Sequence, residues 1–315
     1  MSKKKKIIIS CICVLCLFSI GVGMFIYVGA LKGRVVFNVN DTLPDGEGKS
    51  VKVILLGGQS NASGCSRDDY LKKNVPEEKY AQYDQGFDNV YINYYVSGYH
   101  ASNAFVKCGA RQGEGGGYFG PELGMAEKLN ELYPDETFFI IKCAWGGTNL
   151  YDQWLSPSSA GKTGDLYQQF VDYVNTSINY LVSKNYNIEI EAMCWMQGES
   201  DSFSVKDAKK YEERLTNFIA DIRDEFSEYA SDDGIAFVDA YIADNPVFWV
   251  YCEHVNNSKL AVSKKSPMNL LVDTVSAGLT CTEEPEENPD VAHYDSLSEL
   301  KLGNMFIEEA SKFFD

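Results

Sequence analysis

Short unbroken apolar runs alternate along this chain with longer stretches in which apolar residues recur every third or fourth position. Val53-Ile54-Leu55-Leu56 within "VKVILLGG" (51–58) leaves no polar face, as in a strand covered on both sides. "TFFIIKCAW" (137–145) and "IEIEAMCWMQG" (188–198) read the same way, and "GIAFVDAYI" (234–242) and "NLLVDTVSA" (269–277) extend the set. Helical spacing dominates 121–134, where Leu123, Ala126, Leu129 and Leu132 share one side, and recurs at 166–184, 207–226 and 296–314. Strands separated by helices predict an α/β fold: a three-layer sandwich with a central parallel sheet flanked by helices. Residues 83–120, rich in tyrosine and glycine, are expected as a long irregular insertion that either lines a sugar site or packs as a satellite apolar cluster.

The first 34 residues follow a different pattern. Lys3 to Lys6 precede an uncharged stretch from Ile7 to Leu31. About 20 apolar residues span a bilayer, and this run exceeds the roughly 7–15 of a secretory h-region. Residues 1–34 are therefore expected as a membrane anchor, lysines cytoplasmic and the remainder outside. Cleavage near Val28-Gly29-Ala30, giving a secreted protein, is the alternative. Residues 35–50 are expected as a spacer and 51–315 as one domain. The chain carries a net charge of −17, and without the six cations of its first 34 residues the rest carries −23. That charge argues against nucleic acid or an anionic membrane surface as partner and leaves the N-terminal segment as the expected membrane contact. Three of nine cysteines lie in the anchor; the other six are far apart, without metal-ligand spacing or a stapled framework, although one disulfide stays open.

Three predicted strands end on glycines beside polar residues: "GGQSNASG", "CAWGGTNL" and "WMQGESD". In open α/β sheets ligands bind beyond the carboxyl ends of strands, so three such ends mark a candidate site. Ser60 would stand at its rim. A serine needs a neighbouring base to become a nucleophile, and that base is usually histidine. Of three histidines, His100 lies in the insertion with no acid close in sequence, and His254 follows Glu253 in a stretch that reads as surface. His293 follows Asp290 by three residues in "NPDVAHYD". That spacing lets the carboxylate fix the ring's tautomer and stabilise the imidazolium formed as Ser60 loses its proton. Acyl transfer also needs donors for an oxyanion. The candidates are the backbone N–H groups of Ser60 and Gly146 and the side-chain amide of Gln197, which equally suits holding its own turn. "GQSNA" departs from the G-x-S-x-G elbow at Ala62, and acid and base share one D-x-x-H.

Together with "FGPELGMAEKL" and "DVAHYDSLSELKLGNMF", these blocks resemble the SGNH hydrolase superfamily, and within it the carbohydrate-esterase branch of sialate O-acetylesterases and acetylxylan esterases. They run in family order over residues 51–308. The resemblance implies a flavodoxin-like α/β fold, Ser60 as nucleophile, His293 as base, Asp290 as orienting acid, and an oxyanion hole from Ser60, Gly146 and Gln197. Glutamine stands where much of the superfamily has asparagine. No metal or organic cofactor is implied. Asn61 and Glu199 are candidates for substrate contact, Glu199 and Asp201 alternatively supporting their turn. The expected activity is removal of acetyl groups from acetylated carbohydrate of the sialic acid or xylan type. A lipid or aryl esterase of the same superfamily is the alternative enzyme, and a carbohydrate-binding protein without catalysis is the alternative outside enzymes. Residues 243–268 match the family least well.

Overall fold

Six parallel strands carry the sheet: β1 (Ser50–Gly58), β2 (Val90–Val96), β3 (Phe138–Ala144), β4 (Asn187–Met196), β5 (Ala236–Ala240) and β6 (Asn269–Val272). They lie side by side as β2-β3-β1-β4-β5-β6 in a computed structural model that describes residues 35–314. Every neighbouring pair is parallel. Short antiparallel pieces, His100–Ala101 and Val106–Lys107, pair with β2. The chain places β2 and β3 on one side of β1 and then crosses to β4 on the other. Such a switch opens a crevice at the carboxyl end of β1.

Burial explains why these runs became strands. Val53, Ile54, Leu55 and Leu56 of β1 are fully buried, as is every residue of β3, so both faces of the sheet are covered. The flanking helices are α1 (Ser60–Ser63), α2 (Glu122–Leu132), α3 (Asp165–Ser183), α4 (Tyr211–Glu225), α5 (Cys252–Ser263) and α6 (Ser296–Ala310). Helices α2 and α6 touch backbone to backbone, because a Cβ on Gly124 would lie 2.0 Å from the Leu300 carbonyl oxygen. Lys142 on β3 is fully buried and reaches Glu122 of α2 at 2.7 Å, tying sheet to helix through a buried ion pair.

The structure departs from the sequence expectations in three places. The insertion expected to be irregular contains β2, a seven-residue strand beside β3. Its buried Asn93 donates to Ser177 and accepts from Ser102, so a polar residue sits inside a core strand with both ends of its amide partnered. The expected spacer packs on the domain from Phe37 onward: the Phe37 ring contacts Tyr95 and Tyr173 at 5.0 Å each, and the backbone N–H groups of Thr42 and Leu43 donate to Tyr180. The final predicted strand stops at Val272 rather than 277. All six described cysteines are free. The anchor expected at 1–34 lies outside the described residues, and among those described no helix is long and apolar enough to cross a membrane.

Candidate active site

The site begins where β1 ends. Gly58 has φ +137°, and a Cβ there would lie 2.0 Å from the Met196 carbonyl oxygen, so a residue without a side chain lets β4 close against β1. Gly58 stands in register with Ala144 on β3 and Met196 on β4. Two further bonds bind the ends together: Gln59 N–H to the Met196 carbonyl at 2.9 Å and Trp145 N–H to the Gly58 carbonyl at 3.1 Å. Ser60, Gly146 and Gln197, far apart in sequence, are thereby brought to one edge of the sheet. Ser60 is half-buried and opens the single turn of α1.

The polar residues beside Ser60 bind the surrounding loops. Gln59 Oε1 accepts from Gln197 Nε2 at 3.2 Å, Gly198 N–H at 3.3 Å and Ser200 N–H at 3.2 Å. Asn61 Nδ2 donates to Glu199 Oε1 at 2.8 Å and to the Ala292 carbonyl at 3.4 Å, while Tyr294 N–H donates to Asn61 Oδ1 at 3.2 Å. The residue after Ser60 thus grips both neighbours of His293. Asn61 is 2% exposed and Glu199 1%, and burial raises the Glu199 carboxyl pKa. Two side chains expected to meet substrate are instead buried and bonded to each other.

His293 Nδ1 lies 2.6 Å from Asp290 Oδ2. Burial works against a charged ring here, but the Asp290 carboxylate bonded to it favours the protonated form and holds the imidazole pKa above its ordinary 6.5. The Cys65 thiol lies beside the ring. Burial, reinforced by Glu114, pushes that thiol up to about 11, so it stays protonated at neutral pH. Of the other histidines, His100 Nδ1 contacts the Gly113 carbonyl at 2.7 Å and His254 lies on α5.

The expected oxyanion donors differ in their present partners. Gly146 N–H donates to Ser97 Oγ at 3.1 Å. Gln197 is fully buried, and its Nε2 faces Asp201 Oδ2 at 2.8 Å, the Thr148 carbonyl at 3.1 Å and Gln59 Oε1. Its Oε1 accepts from Tyr211 at 2.9 Å. Asp201 also accepts from Leu150 N–H, and burial lifts its pKa to about 6.

Comparison with known proteins shows the family to which the chain belongs. The family described as carbohydrate esterase, sialic acid-specific acetylesterase matches residues 50–312. The chain belongs to this family. Among curated proteins none matches. A protein from Arabidopsis thaliana superposes with a TM-score of 0.60 at 19% identity, covering 86% of this chain and 100% of its own. NanS superposes with a TM-score of 0.58 at 17% identity, covering 86% and 98%. A carbohydrate acetylesterase from Xanthomonas citri gives 0.54 at 15% identity, covering 83% of this chain and 56% of its own. At these identities the likeness establishes the fold alone, an α/β sandwich. The family match makes this chain a carbohydrate acetylesterase.

Sequence reasoning missed two residues of this candidate site, Cys65 beside His293 and Glu114 beside Gly146. Glu114, in "RQGEGGG", sends Oε1 to within 2.7 Å of where a Gly146 Cβ would stand. Ser63 Oγ and Ser97 Oγ donate to that oxygen at 2.6 and 2.7 Å. An acid set among four glycines was the available signal, obscured because those glycines read as a bare turn.

Proposed function

We propose that this acetylesterase removes acetyl groups from carbohydrate hydroxyls through Ser60, His293 and Asp290. Ser60 Oγ attacks the acetyl carbonyl carbon while His293 takes its proton, and Asp290 holds the ring and offsets its charge. The sugar C–O–acyl bond then breaks at the acyl carbon, and His293 returns the proton to the departing sugar oxygen. Water, deprotonated by the same ring, releases acetate from Ser60. The developing oxyanion is met by the backbone N–H groups of Ser60 and Gly146, the latter turning from Ser97. Gln197, whose amide hydrogens already serve three acceptors, contributes by holding the loop that closes the site.

The observation that carries this reading is Asn61. It bonds the two residues flanking His293 while standing next to Ser60, so nucleophile and Asp–His pair are fixed by one side chain. The high thiol pKa of Cys65 favours serine over cysteine, because a thiol attacks as its thiolate. The structural neighbour from Xanthomonas citri, a carbohydrate acetylesterase, agrees with this substrate class. In the same proposal residues 7–31 tether the enzyme to the membrane with its catalytic domain outside, as their length and the preceding lysines support.

The test is acetate release by the full chain from acetylated xylan, O-acetylated sialic acid and p-nitrophenyl acetate, with Ser60→Ala beside it. The expected result is release from a sugar ester, reduced by on the order of 10³-fold or more in the variant at unchanged Tm. Equal activity in the variant contradicts the assignment.

A further inference from the structure

Glu114 has no part in the acyl-transfer steps above, yet the fold fixes it firmly. Its backbone N–H donates to the Gly64 carbonyl at 2.7 Å, just beyond α1. The base of its loop is held from below, where buried Lys142 donates to the Gln112 carbonyl at 3.0 Å. Gly113 N–H closes the loop onto the Tyr118 carbonyl at 3.0 Å. Beyond it, Gly115, Gly116 and Gly117 face open space. The carboxylate therefore stands at a defined place on the wall of the site, beside Gly146.

Its two oxygens are treated unequally. Oε1 accepts two short bonds from Ser63 and Ser97. Oε2 has one long bond, 3.3 Å from the hydroxyl of Tyr99, a residue 58% exposed. Among the described residues, all of these donors are neutral hydroxyls. Among the described residues, Arg67 is paired with Asp69, Arg111 with Asp68 and Asp84, Lys142 with Glu122, Arg214 with Asp207, and Lys259 with Asp239.

We propose that Glu114 sets the substrate class: Oε2, the less bonded of its oxygens, accepts a hydroxyl of a neutral sugar lying against Tyr99, and its charge disfavours glycans bearing a carboxylate. This rests on the acetylesterase reading for the place where the sugar lies. The net −23 of residues 35–315 acts in the same direction at longer range. A neutral, xylan-type ester is then preferred over an O-acetylated sialic acid.

The test needs no turnover, so its failure is separable from failure of the acetylesterase reading. Binding of xylotetraose and of N-acetylneuraminic acid to the full chain is measured by calorimetry, for wild type and Glu114→Gln, at low and high salt. Gln keeps an acceptor for Ser63 and Ser97, so the loop's anchoring is retained. The wild type is expected to favour the neutral sugar. Glu114→Gln is expected to strengthen sialic acid binding by on the order of tenfold at low salt, with that gain shrinking as salt is added. It is expected to weaken xylotetraose by about threefold through loss of a charged acceptor. An affinity ratio unchanged by the substitution, or a wild type that favours sialic acid, overturns the proposal. If the ratio shifts as expected while no acetyl ester is cleaved, the recognition role stands and the catalytic reading falls.

Discussion

A serine hydroxyl becomes a nucleophile where an imidazole can accept its proton, and the imidazole's own pKa sets when. In the proposed mechanism His293, with its pKa above 6.5, is protonated and so unable to act as the base over more of the acidic range than an ordinary histidine. Activity is therefore expected to rise with pH and to reach half its maximum above 6.5. Asp290→Asn removes the charge that favours the protonated ring, so the inflection should move to lower pH. The same change misorients the imidazole and should cost on the order of 10²–10⁴ in kcat/KM. A pH–rate profile of both proteins checks this; an inflection that does not move would remove Asp290 from the mechanism. The spacing of Asp290 and His293 was legible because both residues lie in one short segment. Cys65 and Glu114 were not, since their importance arises from contacts with His293 and Gly146 that no local pattern records.

At the scale of elements, the motifs proved to be bonded mainly to one another. Gln59 ties the loop after β4, and Asn61 ties that loop to the segment carrying His293. Asn61→Ala leaves Glu199 Oε1 and the Tyr294 N–H without a partner in a buried setting, at about 1–3 kcal/mol of stability. It should also lower kcat more than it raises KM, because the base loses its position while the sugar surface is untouched. Thermal unfolding with steady-state kinetics tests both; a stable, fully active variant would refute the positioning role. The elements also differ in how far their sequences disclosed them. Continuous apolar runs such as 53–56 announced β1, whereas the buried Asn93 hid β2. Helix α5 was hidden too, because its buried face includes Lys259, admitted to the interior by an ion pair 2.6 Å from Asp239.

For the whole molecule, the strand order dictates the location of the site. With β3 and β4 on opposite sides of β1, the ends of all three meet at the switch point, and each end contributes glycine and polar residues there. The sequence disclosed that edge because three similar endings recur. It did not disclose that residues 37–49 belong to the domain, since the few apolar residues there stand in a polar, turn-rich stretch and their partners lie on β2 and α3. The claim on which everything rests is that the acyl group passes through Ser60 at this edge. Its most direct test is rapid acid quench of the full chain turning over p-nitrophenyl acetate, followed by peptide mapping of the acetyl group in wild type, Ser60→Ala and Cys65→Ala. The expected result is acetyl on Ser60 in the wild type and Cys65→Ala, and none in Ser60→Ala. Acetyl on Cys65, or a label that survives loss of Ser60, would contradict it.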